Sequence, residues 1–214
     1  MARAPPSRGR SGHRSRNEPP LNYRHAFHAG NFADIVKHAA LLLLLERMMR
    51  APGPLCVVDT HAGRGLYDLA SPEARRSGEA DAGVLRLMNA DAPQAYGPLR
   101  AAVRRLNAGG PVKSYPGSPW LIAETLRRGD RYIACELRPD EHAALRTALK
   151  GRAGVEALCA DGYATAATKV PAQGAALVLI DPPFEKPDDY RRIVETVRAV
   201  LRRRASAISQ GEPG

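Results

Sequence analysis

The sequence predicts an α/β domain built on a parallel, doubly wound sheet. Four short runs, LCVVD (55–59), RYIACE (131–136), VEALCAD (155–161) and AALVLID (175–181), are apolar on both faces and alternate with helical stretches. That is the pattern of strands covered by helices on either side. Acids and turn residues then gather at the ends of those runs: Asp59 with THAGRG, Glu136, Asp161 with Gly162, and Asp181 with PPF. In such sheets ligands bind outside the carboxyl ends of the strands.

The elements follow in order. Residues 1–20, MARAPPSRGRSGHRSRNEPP, lack aliphatic core formers and read as a disordered basic tail. A helix is expected from about Phe32, with Ile35, Ala39, Leu42, Leu43 and Met49 on an apolar face, and PGP at 52–54 stops it. The first strand and its glycine-bearing loop come next. Residues 71–107 read as two or three helices with loops, YPGSP (115–119) as a rigid loop, and WLIAETLRR as a helix. After the second strand, PDEHAALRTALKG has acids in its first turn and a glycine past its end, both helix signals. GYATAATKV is a short helix after the third strand, and PDDYRRIVETVRAVLRRR is the last helix.

Bulk properties narrow the function classes. With 214 residues and 44% hydrophobic content the chain is long enough for one domain with a sizeable core. The longest aliphatic run, AALLLLL at 39–45, is too short to span a bilayer, and no signal-peptide h-region follows the basic N-terminus. Cys56, Cys135 and Cys159 form no CxxC pair and lie in or beside strands, so buried free thiols are expected, in a reducing cytosol and without a metal. The net charge of +10 favours a polyanionic partner such as nucleic acid. Residues 1–20 hold part of it, with five arginines against one glutamate.

Each strand end admits a chemical and an ordinary structural reading. Gly63 and Gly65 let a ligand approach the backbone. No GK[ST] follows, and Asp68 stands where a dinucleotide fingerprint needs its third glycine. Glu136 can accept both hydroxyls of a ribose, or cap a helix. Asp161 can accept from an adenine amine while Gly162 leaves room for the ring, or the pair is a plain Asp-Gly turn. Asp181-Pro182-Pro183-Phe184 either ends a strand or grips an amine. A carboxylate and a carbonyl that both accept from an aromatic amine localise its lone pair; tandem prolines fix the backbone that presents the carbonyl, and the ring gives a base a stacking surface. Together the four ends describe an S-adenosylmethionine site with an amine acceptor beside it. The group [DNS]PP[YFW] marks amino-methyltransferases acting on adenine, cytosine or glutamine amides.

The segments LNYRHAFHAGNFADIVKHAALL, DTHAGRGLYDL, YPGSP, CELRPDE, ADGY and LIDPPFE stand in this order. From about Leu21 to about Leu201 the chain resembles the bacterial 23S ribosomal RNA adenine-N6 methyltransferase family, and the YRHAFHAGNFADIVKH block is the most specific part of the match. The resemblance implies a Rossmann-like class I S-adenosylmethionine-dependent methyltransferase fold, with a helical insertion at about 66–116. It implies that His38, His61, Ser118, Glu136, Asp161, Gly162 and Asp181 contact the cofactor, S-adenosylmethionine. Asp181 would also be the catalytic acid that orients the target amine. Tyr23 would contact the substrate RNA, with His25, Lys37, Pro182 and Phe184 lining the same mouth. The implied partner is naked 23S rRNA rather than the assembled ribosome, bound by a cytoplasmic monomer with no metal and no membrane contact.

The chain departs from the family in two places. Phe184 stands where close relatives often have Tyr, keeping the ring but losing a hydroxyl. The family's fold also implies seven strands where four are read here. The sheet, in the order 3-2-1-4, is therefore expected to stop after the fourth strand, with residues 202–214 as a tail and the family's C-terminal part missing. An apolar sheet edge of that kind is an aggregation hazard, so weak stability and reduced activity are expected, with an inactive cofactor- or RNA-binding remnant as the alternative. A DNA adenine or protein amide methyltransferase is the other rival, which the N-terminal block disfavours.

Overall fold

The structure, a computed structural model of the chain, describes residues 27–209. The expected tail at 1–20, Tyr23 and His25 lie outside those residues. Strands β1 (Leu55–Asp59), β4 (Arg131–Cys135), β5 (Val155–Leu158) and β6 (Ala175–Leu179) form one parallel sheet in the order β5-β4-β1-β6. This is the 3-2-1-4 order of the sequence reading. Val57 in the central strand faces Tyr132 on one side and Leu177 on the other.

Alternate residues of the strands point to opposite faces, and the core divides accordingly. Leu55, Val57, Tyr132 and Ala134 pack on one face with Leu41 and Leu45 of α1 (Phe32–Met49), Ile122 of α5 (Ser118–Thr125) and Leu145 of α6 (Pro139–Ala148). Cys56, Val58, Ile133 and Cys135 pack on the other with Ala166 of α7 (Gly162–Lys169) and Val200 of α8 (Asp189–Ser209). The central strands β1 and β4 are buried almost throughout, whereas β5 and β6 are half-buried, as the two edges of the sheet must be.

The insertion differs from a purely helical one. It opens with β2 (Leu66–Asp68) and closes with β3 (Ser114–Pro116), which pair antiparallel. The segment read as a rigid YPGSP loop therefore starts as a strand, because Leu69 N–H donates to the Lys113 carbonyl and extends the ladder. Between them lie α2 (Pro72–Ser77), a π-helical turn at Asp81–Leu85, α3 (Arg86–Asn89) and α4 (Gly97–Leu106). Val84, Leu99, Val103 and Tyr115 join Ile35 and Leu42 of α1 in a third core cluster. The last helix runs on to Ser209, through part of the segment expected as a tail, and its arginines give the reason: Arg203 donates to the Val170 carbonyl, and Arg204 to those of Pro171 and Gly174. Of the three free thiols, Cys56 and Cys135 are buried, but Cys159 is exposed because β5 ends one residue before it.

The insertion docks on the start of α1 by a close backbone approach. Val84 N–H donates to the Gly30 carbonyl at 2.8 Å, and a Cβ at Gly83 would lie 2.0 Å from that oxygen. Gly83→Ala is therefore expected to lower stability by at least about 1–3 kcal/mol, the usual cost of overpacking a rigid contact. Urea denaturation of the variant against the parent chain checks this.

Candidate active site

Asp59, at the carboxyl end of β1, is fully buried. Its Oδ2 accepts from Ser118 Oγ at 2.8 Å and from the Tyr132 hydroxyl at 3.3 Å, and its Oδ1 from the His61 amide at 3.2 Å. The carboxyl joins β1, β4, the start of α5 and the loop after β1. Burial pushes its pKa up to about 6, against the opposing effect of the Ser118 and His61 hydrogen bonds and the Lys37 charge.

The loop after β1 turns at Gly63, whose φ of +66° lies in the left-handed region. There the Gly63 N–H donates to Glu136 Oε2 at 3.0 Å, while Glu136 Oε1 accepts from the Arg138 amide at 2.8 Å. Burial raises the Glu136 pKa, and the two backbone donors work against that rise. Glu136 thus stitches two strand ends together and keeps unused lone pairs on each oxygen for a further donor.

Asp161 caps α7, accepting from the amides of Tyr163 and Ala164 at 2.9 and 3.3 Å. Its Oδ2 also pairs with Arg192 of α8. Burial works to raise its pKa, but Arg192 and the cap amides outweigh it and hold the carboxyl below its ordinary value. Arg192 lies over the Tyr163 ring, 4.3 Å from the centroid, and His61 meets the same ring edge-on at 4.8 Å. Burial pulls the His61 pKa down to about 4, so the ring is neutral at pH 7.

At the end of β6, Asp181 is partly exposed, its side chain retaining 41% of its surface. Its Oδ2 accepts from Lys37 Nζ at 2.7 Å, and the same ammonium lies 3.0 Å from Asp34 Oδ1. Burial alone lowers a lysine pKa, but the two carboxylates more than reverse this, so Lys37 stays a cation held by both. Asp34 is fixed in turn by the Gly30 amide at 3.0 Å. After Asp181, Pro182 is buried and Phe184 has a φ of +56°, a left-handed backbone rare for a non-glycine residue.

A cavity of about 560 Å³ opens at the carboxyl ends of the strands, a size suited to a small-molecule cofactor. His38, His61, Ser118, Glu136, Asp161, Gly162, Asp181, Lys37, Pro182 and Phe184 all border it. His38 lies deepest, its Nδ1 2.8 Å from the Tyr115 hydroxyl. Gly162 has a packing reason that the sequence does not suggest. A Cβ there would strike the Thr60 carbonyl oxygen at 2.0 Å, so the glycine lets α7 sit against the residue that follows β1.

Sequence reasoning missed Thr60, Tyr163 and Arg192, which also border the cavity. Tyr163 stands in the ADGY segment directly after Gly162, a signal that was available. Arg192 is one arginine among several on α8 and carries no mark in the sequence.

A parallel sheet whose strand ends carry Gly63, Glu136, Asp161 and an Asp-Pro-Pro-Phe turn around one cavity defines the class I methyltransferase fold. Comparison with known proteins narrows the class. The family described as "Ribosomal RNA large subunit methyltransferase D, RlmJ" matches residues 52–210. A Haemophilus influenzae protein named "Ribosomal RNA large subunit methyltransferase J" is 38% identical over 189 residues, 87% of this chain and 67% of its own length. The Escherichia coli protein of the same name is 37% identical over 192 residues, 88% of this chain and 68% of its length. A crystal structure of a Legionella pneumophila protein superposes with a TM-score of 0.74 at 29% identity, covering 83% of this chain and 66% of that one. The chain belongs to this RlmJ methyltransferase family, and it spans about two thirds of the length of these relatives.

Asp59 gives a pH test of this geometry. A carboxyl with a folded pKa near 6 holds its proton between pH 4 and 6, where the unfolded chain has lost it, so its contribution to stability falls as pH rises through that window. Above pH 6 the cost is on the order of 3 kcal/mol. Asp59→Asn removes the titration. Whatever its constant offset, the stability of the variant relative to the parent chain is expected to rise by about that amount between pH 4 and 7, measured by urea denaturation at both pH values. A difference that does not change with pH would count against the buried carboxyl.

Proposed function

We propose that this chain transfers a methyl group from S-adenosylmethionine to the N6 amine of an adenine in naked 23S ribosomal RNA, in the cytoplasm. One observation carries the reading. The Asp181-Pro182 turn and the acids Glu136 and Asp161 of two neighbouring strand ends border the same cavity, so an amine acceptor and an adenosyl binder are adjacent. The family names of the relatives support the RNA substrate.

The residues fit the cofactor chemically. Glu136 retains lone pairs for a ribose diol, and Asp161 accepts from an adenine amine beside the Tyr163 ring. Ser118 and His61, fixed through Asp59, border the floor, and His38 lies beneath. S-adenosylmethionine supplies an activated methyl group on a sulfonium, which leaves as a neutral thioether.

The remaining work belongs to the chain. Asp181 Oδ2 is committed to Lys37, which directs Oδ1 to the target amine. The Pro182 carbonyl takes the other N–H, and both acceptors localise the nitrogen lone pair toward the methyl carbon. Phe184 stacks on the flipped ring. As the N–C bond forms, the nitrogen becomes positive, and the carboxylate 2.7 Å from Lys37 stabilises that charge until a proton leaves to solvent. Lys37 holds the carboxylate in place. Catalysis on this reading is positioning and electrostatics.

Asp181→Ala is expected to abolish methyl transfer, by at least about 100-fold in kcat given the size of such electrostatic contributions. Cofactor binding should remain measurable by calorimetry. The assay is transfer of labelled methyl from S-adenosylmethionine to unmodified 23S RNA, run in parallel on duplex DNA and on protein, with the product adenine mapped. Label appearing on DNA or protein but not on RNA would overturn the substrate assignment. Cofactor binding without turnover on any of the three would favour the inactive remnant.

A further inference from the structure

Beyond the cavity, the rim carries a second aromatic ring, which heads an exposed apolar stripe of α8 continued by Val194, Val197 and Leu201. Tyr190, in the first turn of α8, is 71% exposed. The side of α8 that packs inward carries Asp189, Thr196 and Val200, all buried, so Tyr190 is not part of the core. Its ring centre lies 5.2 Å from that of Phe184, tilted by 40°. Phe184 is itself 49% exposed and is held in a left-handed backbone conformation after the two prolines. Such strain persists where a site needs the side chain in that direction. Phe184 borders the cavity, whereas Tyr190 lies outside it. The two rings are in contact, too close to admit a base between them, and together make one aromatic surface that crosses the rim.

We propose that Tyr190 is the stacking platform for the nucleotide next to the methylated adenine. The proposal rests on the RNA reading above and extends it by one residue and one base. A base that enters the cavity along Phe184 leaves its neighbour at the rim, beside the Tyr190 ring that Phe184 contacts. Single-stranded RNA is bound by aromatic faces in this way, one base per ring, with little dependence on base identity. A protein partner is the less favoured occupant, because the aromatic surface starts at Phe184, which borders the cavity, and not on the Val194, Val197 and Leu201 part of α8.

The test uses the full chain and a naked 23S RNA fragment carrying 2-aminopurine on either side of the target adenine. For the parent chain and for Tyr190→Phe, binding is expected to quench the probe on one side. For Tyr190→Ala that quench is expected to be lost, and KM for RNA to rise about 5- to 150-fold, the equivalent of one stack. At saturating RNA, kcat, cofactor affinity and melting temperature should stay within twofold or unchanged. Two results overturn the proposal: a quench and KM that do not move in Tyr190→Ala, or a change in sedimentation with RNA binding intact, which would make the ring a protein contact. The parent chain separates the two readings. Methylation with no effect of Tyr190→Ala sinks the platform alone. A Tyr190-dependent quench without methylation sinks the activity alone, and absence of RNA binding sinks both.

Discussion

Asp59 is wholly buried, yet it receives hydrogen bonds from Ser118, Tyr132 and the His61 amide. A buried carboxyl without such donors costs several kcal/mol, so each donor must be where it is for the others to fold. This ties together the central strand, its neighbour β4, the start of α5 and the loop after β1. The cavity floor is therefore set by one group rather than by four independent loops. The residual cost of burying it is visible in a pKa raised to about 6. A site that needs fixed geometry can tolerate that cost because the same hydrogen bonds define the geometry.

The Asp181 side of the cavity is built by a different balance. Lys37 brings one positive charge to two carboxylates, Asp34 on its own helix and Asp181 at the end of β6. Asp34 is buried and held by a backbone amide, so the ammonium is anchored from below, and Asp181 sits above it near the mouth. The N-terminal helix thus reaches across the sheet to an edge strand 144 residues away in sequence. On the far side of the cavity, Arg192 does the same for Asp161 while covering Tyr163. Two cations thus serve the acids at the ends of β6 and β5.

The strands β5 and β6 are half-buried edges, and β6 carries the Asp-Pro-Pro-Phe turn at its end. An edge strand leaves backbone groups unpaired. Here the Leu179 carbonyl accepts from both the Thr60 amide and the Thr60 hydroxyl. These bonds fasten the last residue of β6 to the loop after β1, just before Ile180 and Asp181. The Asp-Pro-Pro-Phe turn is therefore tied to the same loop that Asp59 organises.

By itself the sequence determined the four strands, their order and the acids at their ends. Burial on both faces leaves a continuous apolar run, and a helix between two such runs forces them to be parallel. The acids and glycines then stand out because they interrupt those runs. What only the tertiary structure decided are partnerships between side chains far apart in the chain. Lys37 and Asp181, or Arg192 and Asp161, have no periodicity or spacing that joins them. That Gly162 is needed for packing shows only when the Thr60 carbonyl is found where its Cβ would be. YPGSP reads as a loop because three residues are too few for a strand pattern, and only pairing with Leu66–Asp68 makes it one. Cys159 reads as buried until β5 ends at Leu158. Local patterns record what a segment buries; which segment it meets is a property of the packed chain.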